Sequence, residues 1–279
     1  MANYIMSAFA DEYGSSLDKQ IEGLKKNGIE YIELRFVDGV NVADLTKEQA
    51  KSVKEKLDEA GIKVSAIGSP LGKSNISDDF SLELEKAERV FENAVVFGAK
   101  NIRMFSFYFP GGKTREEVRE EVLTRVEALL DLADKYSLTL CHENEAKIYG
   151  ESDEHCLDLL RYFGGRLKAV FDMGNFTLDG VNALTAYEKI KDYIEYFHIK
   201  DALKAGAIVP AGKGEASVKE ILEKYQSDYG KRTFITLEPH LQTFSGLNAL
   251  VGKSFDNPYK FETQEEAFDT AVKELRGLL

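Results

Sequence analysis

The sequence predicts a single-domain α/β chain of the (β/α)8 TIM-barrel class over residues 1–279, and three observations carry that expectation. Apolar residues alternate between period two and period 3.6 all along the chain. Eight strand–helix pairs result, recurring about every 35 residues, which is the repeat of such a barrel. The first strand is followed by ADEYGSS, which lacks the glycine fingerprint that opens many doubly wound sheets.

Taken in order, YIMSAF (4–9) alternates as a strand, and residues 16–28 follow with helical spacing, Ser15 or Ser16 as cap and Gly28 as stop. IEYIELR (29–35) is the second strand, and 46–61 is a helix closing on glycine. KVSAIG (63–68) precedes a helix over 79–99, and NIRMFSF (101–107) precedes one over 114–136. LTLCHE (138–143), LKAVFD (167–172) and IEYFHIK (194–200) are strands five to seven, with helices near 152–163, 183–192 and 216–225. TFITLE (233–238) is the eighth strand, and 262–278 ends the chain as a helix. The longest irregular piece, 239–261, suits a lid or an interface loop.

The net charge of -12 argues against a nucleic-acid backbone as the main partner, because phosphate contacts need clustered lysine and arginine. Two cysteines, Cys141 and Cys156, cannot make a disulfide framework and read as reduced thiols of a cytoplasmic protein. The first residues lack a signal peptide's basic head, and no run reaches about 18 apolar residues, so no membrane span is expected.

Chemistry in such barrels sits at the C-terminal ends of the strands. Here strand five ends in Glu143, strand six in Asp172 and strand eight in Glu238, while strand seven carries His198 near its end. Side chains alternate along a strand, so Glu143 shares a face with Cys141, Asp172 with Val170, His198 with Tyr196, and Glu238 with Thr236. The other parity (Leu140, Phe171, Phe197, Leu237) is greasier and belongs against the helices. The acidic set therefore points into the mouth. Three carboxylates and an imidazole crowded there repel one another unless a divalent cation joins them, and Mn, Mg, Co or Zn suits that donor set. Salt-bridged strand ends are the plainer alternative.

With these residues in place, the sequence resembles the xylose isomerase-like TIM barrels, the sugar phosphate isomerase/epimerase group that includes ketose 3-epimerases. The most specific pieces are HEN after strand five, FDMGN after strand six, FHIKD on strand seven, PAGKGE in the next loop and LEPH on strand eight. The resemblance implies that Glu143, Asp172, His198 and Glu238 bind one divalent metal. It implies that Glu143 and Glu238 act as metal-bound acid/base groups, moving a proton beside a carbonyl through an enediolate. It also brings Asn144 into the site. At the position where the ketose 3-epimerases carry a histidine stands Asn175, and the arginine expected after the strand-seven motif appears as Lys204. The implied partner is a small-molecule sugar or sugar phosphate, and the implied assembly is a homodimer or homotetramer.

Further substrate contacts are read from the mouth. Glu33 and Arg35 share one parity of strand two, and Arg103 stands on strand four; a salt bridge inside the barrel competes with a substrate role for each. Lys73 lies in the turn GSPLGK, and Lys213 in AGKGE, near the region where barrels bind phosphate. Lys200 and Asp201 either pair with each other or orient His198. His142 has outward parity but adjoins Glu143; His240 stands at the rim, and His155 falls in a helix. Glu145 touches substrate or is solvated. RMFSFYFP (103–110) offers aromatics for a pocket wall.

Three rivals remain. A metal-dependent lyase or dehydratase on a keto-sugar or inosose would use the same enolate chemistry. An apurinic endonuclease-like protein would need many histidines and a basic face, whereas this chain has 4 histidines. A non-catalytic sugar-binding barrel would need neither metal nor turnover.

Overall fold

The computed structural model describes residues 3–241 and 259–279, so all but the ends of the 239–261 loop lies outside the described residues. Eight parallel strands close into one barrel: β1 (Tyr4–Ala8), β2 (Tyr31–Leu34), β3 (Lys63–Ile67), β4 (Asn101–Met104), β5 (Thr139–Glu143), β6 (Lys168–Asp172), β7 (Ile194–Ile199) and β8 (Thr233–Leu237). Neighbours in the barrel are neighbours in sequence, and β8 closes onto β1 over the register Tyr4↔Thr233 to Ala8↔Leu237.

Among the described residues the helices are α1 (Leu17–Lys26), α2 (Lys47–Ala60), α3 (Phe80–Phe97), α4 (Arg115–Lys135), α5 (Asp153–Tyr162), α6 (Met173–Leu178), α7 (Ala183–Ile190), α8 (Val218–Tyr229) and α9 (Gln264–Leu278). Their starts are chemically marked. Ser16 accepts from the Lys19 amide, so it is the cap rather than Ser15, while Thr46 with Gln49 and Thr114 with Glu117 form reciprocal capping boxes. Gly61 and Gly98 end α2 and α3 at φ of 72° and 70°, a left-handed conformation that a side chain would strain.

The alternation holds in three dimensions. Ala66, Cys141, Val170 and Tyr196 pack with Phe234 as a small cluster inside the barrel. Leu140, Ala169, Phe171, Phe197, Ile199, Ile235 and Leu237 join the main core against the helices. Both cysteines are buried and free. Among the described residues no helix is long and apolar enough to cross a membrane.

Three departures from the expected elements have local causes. β4 stops at Met104 because the amides of Phe105 and Phe107 turn to the Leu71 and Gly72 carbonyls, at 2.7 and 2.8 Å, instead of the barrel ladder. That contact needs Gly72, whose φ is +79° and where an added Cβ would lie 2.0 Å from the Phe105 carbonyl oxygen. A hairpin pairs Phe36–Val37 with Val40–Asn41 after β2, turned on Asp38 and Gly39, both at positive φ. A second pairs Asp201–Ala202 with Ile208–Val209 after β7.

Candidate active site

At the C-terminal mouth the strand ends converge. Glu143 ends β5, Asp172 ends β6, His198 lies on β7 beside Asp172 in register, and Glu238 follows β8. Their donor atoms all fall within 4.8 Å of one another, and all four residues are buried. His198 is the hub. Its Nδ1 lies 2.9 Å from Glu143 Oε1 and 3.1 Å from Glu238 Oε2. Its other nitrogen, Nε2, lies 3.1 and 3.2 Å from the two oxygens of Glu33, which also accepts the Tyr196 hydroxyl at 2.9 Å. Glu33 thus sits inside the barrel, behind the histidine. It meets the nitrogen that faces away from the other acids and orients the ring, as a carboxylate behind a ligating histidine does.

Asp172 is held by three partners. Asn144 grips its backbone twice, donating to the carbonyl at 2.8 Å and accepting its amide at 3.0 Å. Asn175 donates its amide to Asp172 Oδ1 at 2.8 Å, which caps α6, and its side chain returns to the Asn144 carbonyl at 2.9 Å. Lys200 donates to Asp172 Oδ2 at 2.9 Å, to Asn175 Oδ1 at 3.0 Å and to Glu238 Oε2 at 3.3 Å. Lys200 therefore does not pair with Asp201, whose carboxylate instead receives backbone amides of the following loop.

Two buried arginines complete the wall, both near the Phe9 ring. Arg35 pairs with Asp11 at 2.9 Å, Glu12 at 3.2 Å and Glu238 at 3.0 Å. Arg103 Nη1 lies 3.2 Å from Glu143 Oε2, and Nη2 donates to the Gly68 carbonyl at 3.1 Å. His240 stands 3.3 Å from both Glu12 and Glu238. Asp11 and Glu12 were not among the expected site residues, although ADE in the short turn just beyond β1 places two acids at the same end of the barrel as the others.

The remaining expected contacts each have a partner of their own. His142 points outward from β5, 2.9 Å from the Ser106 hydroxyl. Lys73 is at the rim, 2.9 Å from Glu145 and over the Phe105 ring, so Glu145 is paired rather than solvated. Lys213 reaches Glu274 on α9 at 3.0 Å, and Lys204 is mostly exposed near Glu215. His155 serves the start of α5, 2.7 Å from the Ser152 hydroxyl.

The electrostatics show what this cluster lacks. Six buried carboxylates (Asp11, Glu12, Glu33, Glu143, Asp172, Glu238) face three fixed cations (Arg35, Arg103, Lys200), an excess of three negative charges with the histidines neutral. Protons answer part of it. Burial disfavours a charged His198, but Glu143 and Glu33 outweigh burial and push its pKa well up. Burial lifts Asp172 to about 7 against the pull of Lys200, and lifts Glu12 to about 8 against Arg35. Glu143 goes the other way: His198 and Arg103 overcome burial and hold it at about 2. Glu143 Oε2 is buried and, with Arg103 off hydrogen-bond geometry, finds no donor. Three carboxylates, one imidazole nitrogen, a charge deficit and an uncompleted oxygen fit a divalent cation.

Other proteins share this frame. Among curated proteins none matches the chain in sequence. The chain superposes on the IOLI protein, solved with a bound zinc atom, with a TM-score of 0.75 at 18% identity, covering 100% of this chain and 98% of that one. A D-psicose 3-epimerase solved in the presence of D-fructose gives a TM-score of 0.74 at 14% identity, over 99% and 98% of the two chains. The probable 3-DHS dehydratase AsbF of Bacillus anthracis gives 0.73 at 18%, over 99% of each. These likenesses establish the shared fold. The family model for the xylose isomerase-like TIM barrel matches residues 21–276, nearly the whole barrel, and the chain belongs to that family.

Proposed function

We propose that the protein is a divalent-metal-dependent isomerase or epimerase of a sugar, transferring a proton at the carbon beside a carbonyl through an enediolate. The observation that carries this is the convergence of Glu143 and Glu238 on one nitrogen of His198, at 2.9 and 3.1 Å, in a buried and carboxylate-rich mouth. Glu143, Asp172, His198 and Glu238 would hold the ion, which when bound polarises the carbonyl and neighbouring hydroxyl of the substrate. Glu143 and Glu238 are both held in the ionised form that accepts a proton; for Glu238 it is Lys200 and His240 that overcome burial. Two such groups permit removal on one face and return on the other, or transfer between adjacent carbons. Lys200, Arg35 and Arg103 fix the carboxylate positions, and Glu33 fixes His198. The neighbours described as acting on or binding sugars support this class, as does the zinc described for the IOLI protein.

The test is elemental analysis of the purified protein, followed by a metal-supplemented ketose panel in deuterated water read by NMR. Deuterium entering beside the carbonyl, with an isomer of unchanged composition, is the expected outcome. Loss of water or carbon–carbon cleavage in the product would replace this reading with the dehydratase or lyase one, which the fold shared with the probable dehydratase AsbF keeps in view.

A further inference from the structure

We propose that the substrate is an uncharged polyhydroxy carbonyl compound, and that phosphorylated sugars are refused because the chain fills its own anion position. This rests on the sugar reading above and narrows it. In barrels of this class phosphate commonly binds the loops after strands seven and eight, where backbone amides converge near a helix start. Here the loop after β7 does converge, but on Asp201. That buried carboxylate accepts the amides of Ala202 at 2.9 Å, Gly212 at 2.8 Å, Gly214 at 3.0 Å and Ala216 at 3.1 Å. The packing leaves no slack, since a Cβ on Gly214 would lie 2.1 Å from Asp201 Oδ1 and 2.7 Å from the Ala202 carbonyl oxygen. The amides that would cradle a phosphate are occupied by a covalently tethered anion that cannot leave.

The cations around the mouth point the same way. Among the described residues, Arg35, Arg103 and Lys200 are each engaged by carboxylates within 3.3 Å. Lys73 is engaged by Glu145 at 2.9 Å, and Lys213 by Glu274 at 3.0 Å. The buried mouth holds six carboxylates against three fixed cations, and every one of those cations is already committed to them. A dianionic ester entering here finds the buried carboxylates already holding the cations it would need. Among the described residues, to gain Arg35, Arg103 or Lys200 it must strip that cation from a buried carboxylate and leave the carboxylate uncompensated. Sugar hydroxyls, by contrast, are donors for the carboxylates that line the mouth.

Two measurements on the magnesium-loaded protein test this. In the first, amide NMR follows Gly212, Gly214 and Ala216 as inorganic phosphate is added to about 20 mM, a level that reveals even weak sites. These amides stay in place in the wild-type protein, and saturable shifts would overturn the proposal. In Asp201→Ala the vacated amides shift with phosphate; a folded variant whose amides do not move would overturn the assignment of this loop as the anion position. The second compares solvent deuterium exchange into a free ketose and into its phosphate ester. The ester's kcat/KM falls at least about 100-fold below that of the free sugar, as expected for unpairing a buried charge. Equal or better use of the ester would overturn the proposal. Exchange into neither sugar would instead count against the isomerase reading, while the amide titration still decides the present one.

Discussion

Replacing Lys200 with methionine removes the ammonium that stands between Asp172 and Glu238 while roughly keeping side-chain bulk. In the wild-type protein Nζ is 2.9 Å from Asp172 and 3.3 Å from Glu238, and its side chain is only 4% exposed. Removing one partner of a buried pair leaves the other charged and unsolvated, which costs about 3–5 kcal/mol. An unfolding entropy of about 2.1 cal/mol/K per residue over the 279 residues gives roughly 0.6 kcal/mol/K at the midpoint. A loss of about 4 kcal/mol therefore lowers Tm by about 7 °C. The assay is thermal unfolding by circular dichroism in chelator at pH 8. The sign of the pH dependence follows from Asp172, which titrates at about 7 in the fold and is neutral well below that. Above pH 7 the wild-type fold keeps the Asp172–Lys200 ion pair, which the variant loses whether its Asp172 stays charged or takes up a proton; near pH 5 Asp172 holds a proton in either protein, and the gap shrinks. A divalent cation in place of chelator also narrows the gap, by supplying countercharge to the same two carboxylates. A deficit under about 2 °C at pH 8, or one that widens on acidification, would refute the reasoning. A gap untouched by any divalent ion would count against a shared ion.

Three further outcomes are expected. Glu238→Gln keeps a native circular dichroism spectrum but loses proton transfer, and turnover above a tenth of the wild-type rate would reject its acid/base role. Glu33→Gln weakens metal affinity by about 10–100-fold in isothermal titration, because the carboxylate behind His198 is lost; an unchanged Kd would remove Glu33 from that task. His142 is held neutral by burial, its pKa lowered to about 4 from 6.5. The unfolded chain binds that proton first on acidification, so stability is complete above pH 6.5 and declines toward pH 4, by about 3 kcal/mol at 1.36 kcal/mol per unit. Urea unfolding across that range shows a shallower decline in His142→Gln, and parallel profiles would assign the slope to other groups.

Much of this was written in the local pattern. Period-two alternation alone sorted Cys141, Val170 and Tyr196 inward and Leu140, Phe171 and Phe197 outward, so the inward parity of the four strand-end groups followed. What local pattern lacks is the partner across space. Glu33 reads as a mouth acid on β2, yet its task is set by His198, 165 positions away. Lys73 and Lys213 read as anion-binding loop lysines, and acids 72 and 61 positions away, Glu145 and Glu274, engage them. Asp201 looks like a partner for its neighbour Lys200, but the loop it gathers lies further along the chain. The hairpin after β2 was legible and was passed over: Asp38-Gly39 between apolar residues is a strong two-residue turn signal. Asp11 and Glu12 were passed over too, in the short turn just beyond β1 at the same end of the barrel as Glu143.

The division of labour around the ring has a mechanical side. All four candidate ligands, Glu143 to Glu238, come from the arc β5 to β8, while Arg35 and Arg103, which neutralise Glu238 and Glu143, come from the arc β2 to β4. Neither arc is electrically whole. A C-terminal half made alone would carry every donor and keep Lys200 and His198, but it would lack the arginines that meet Glu238 and Glu143. The ion pocket is therefore completed only where the two arcs meet, so closing the ring and balancing its carboxylates depend on the same contacts.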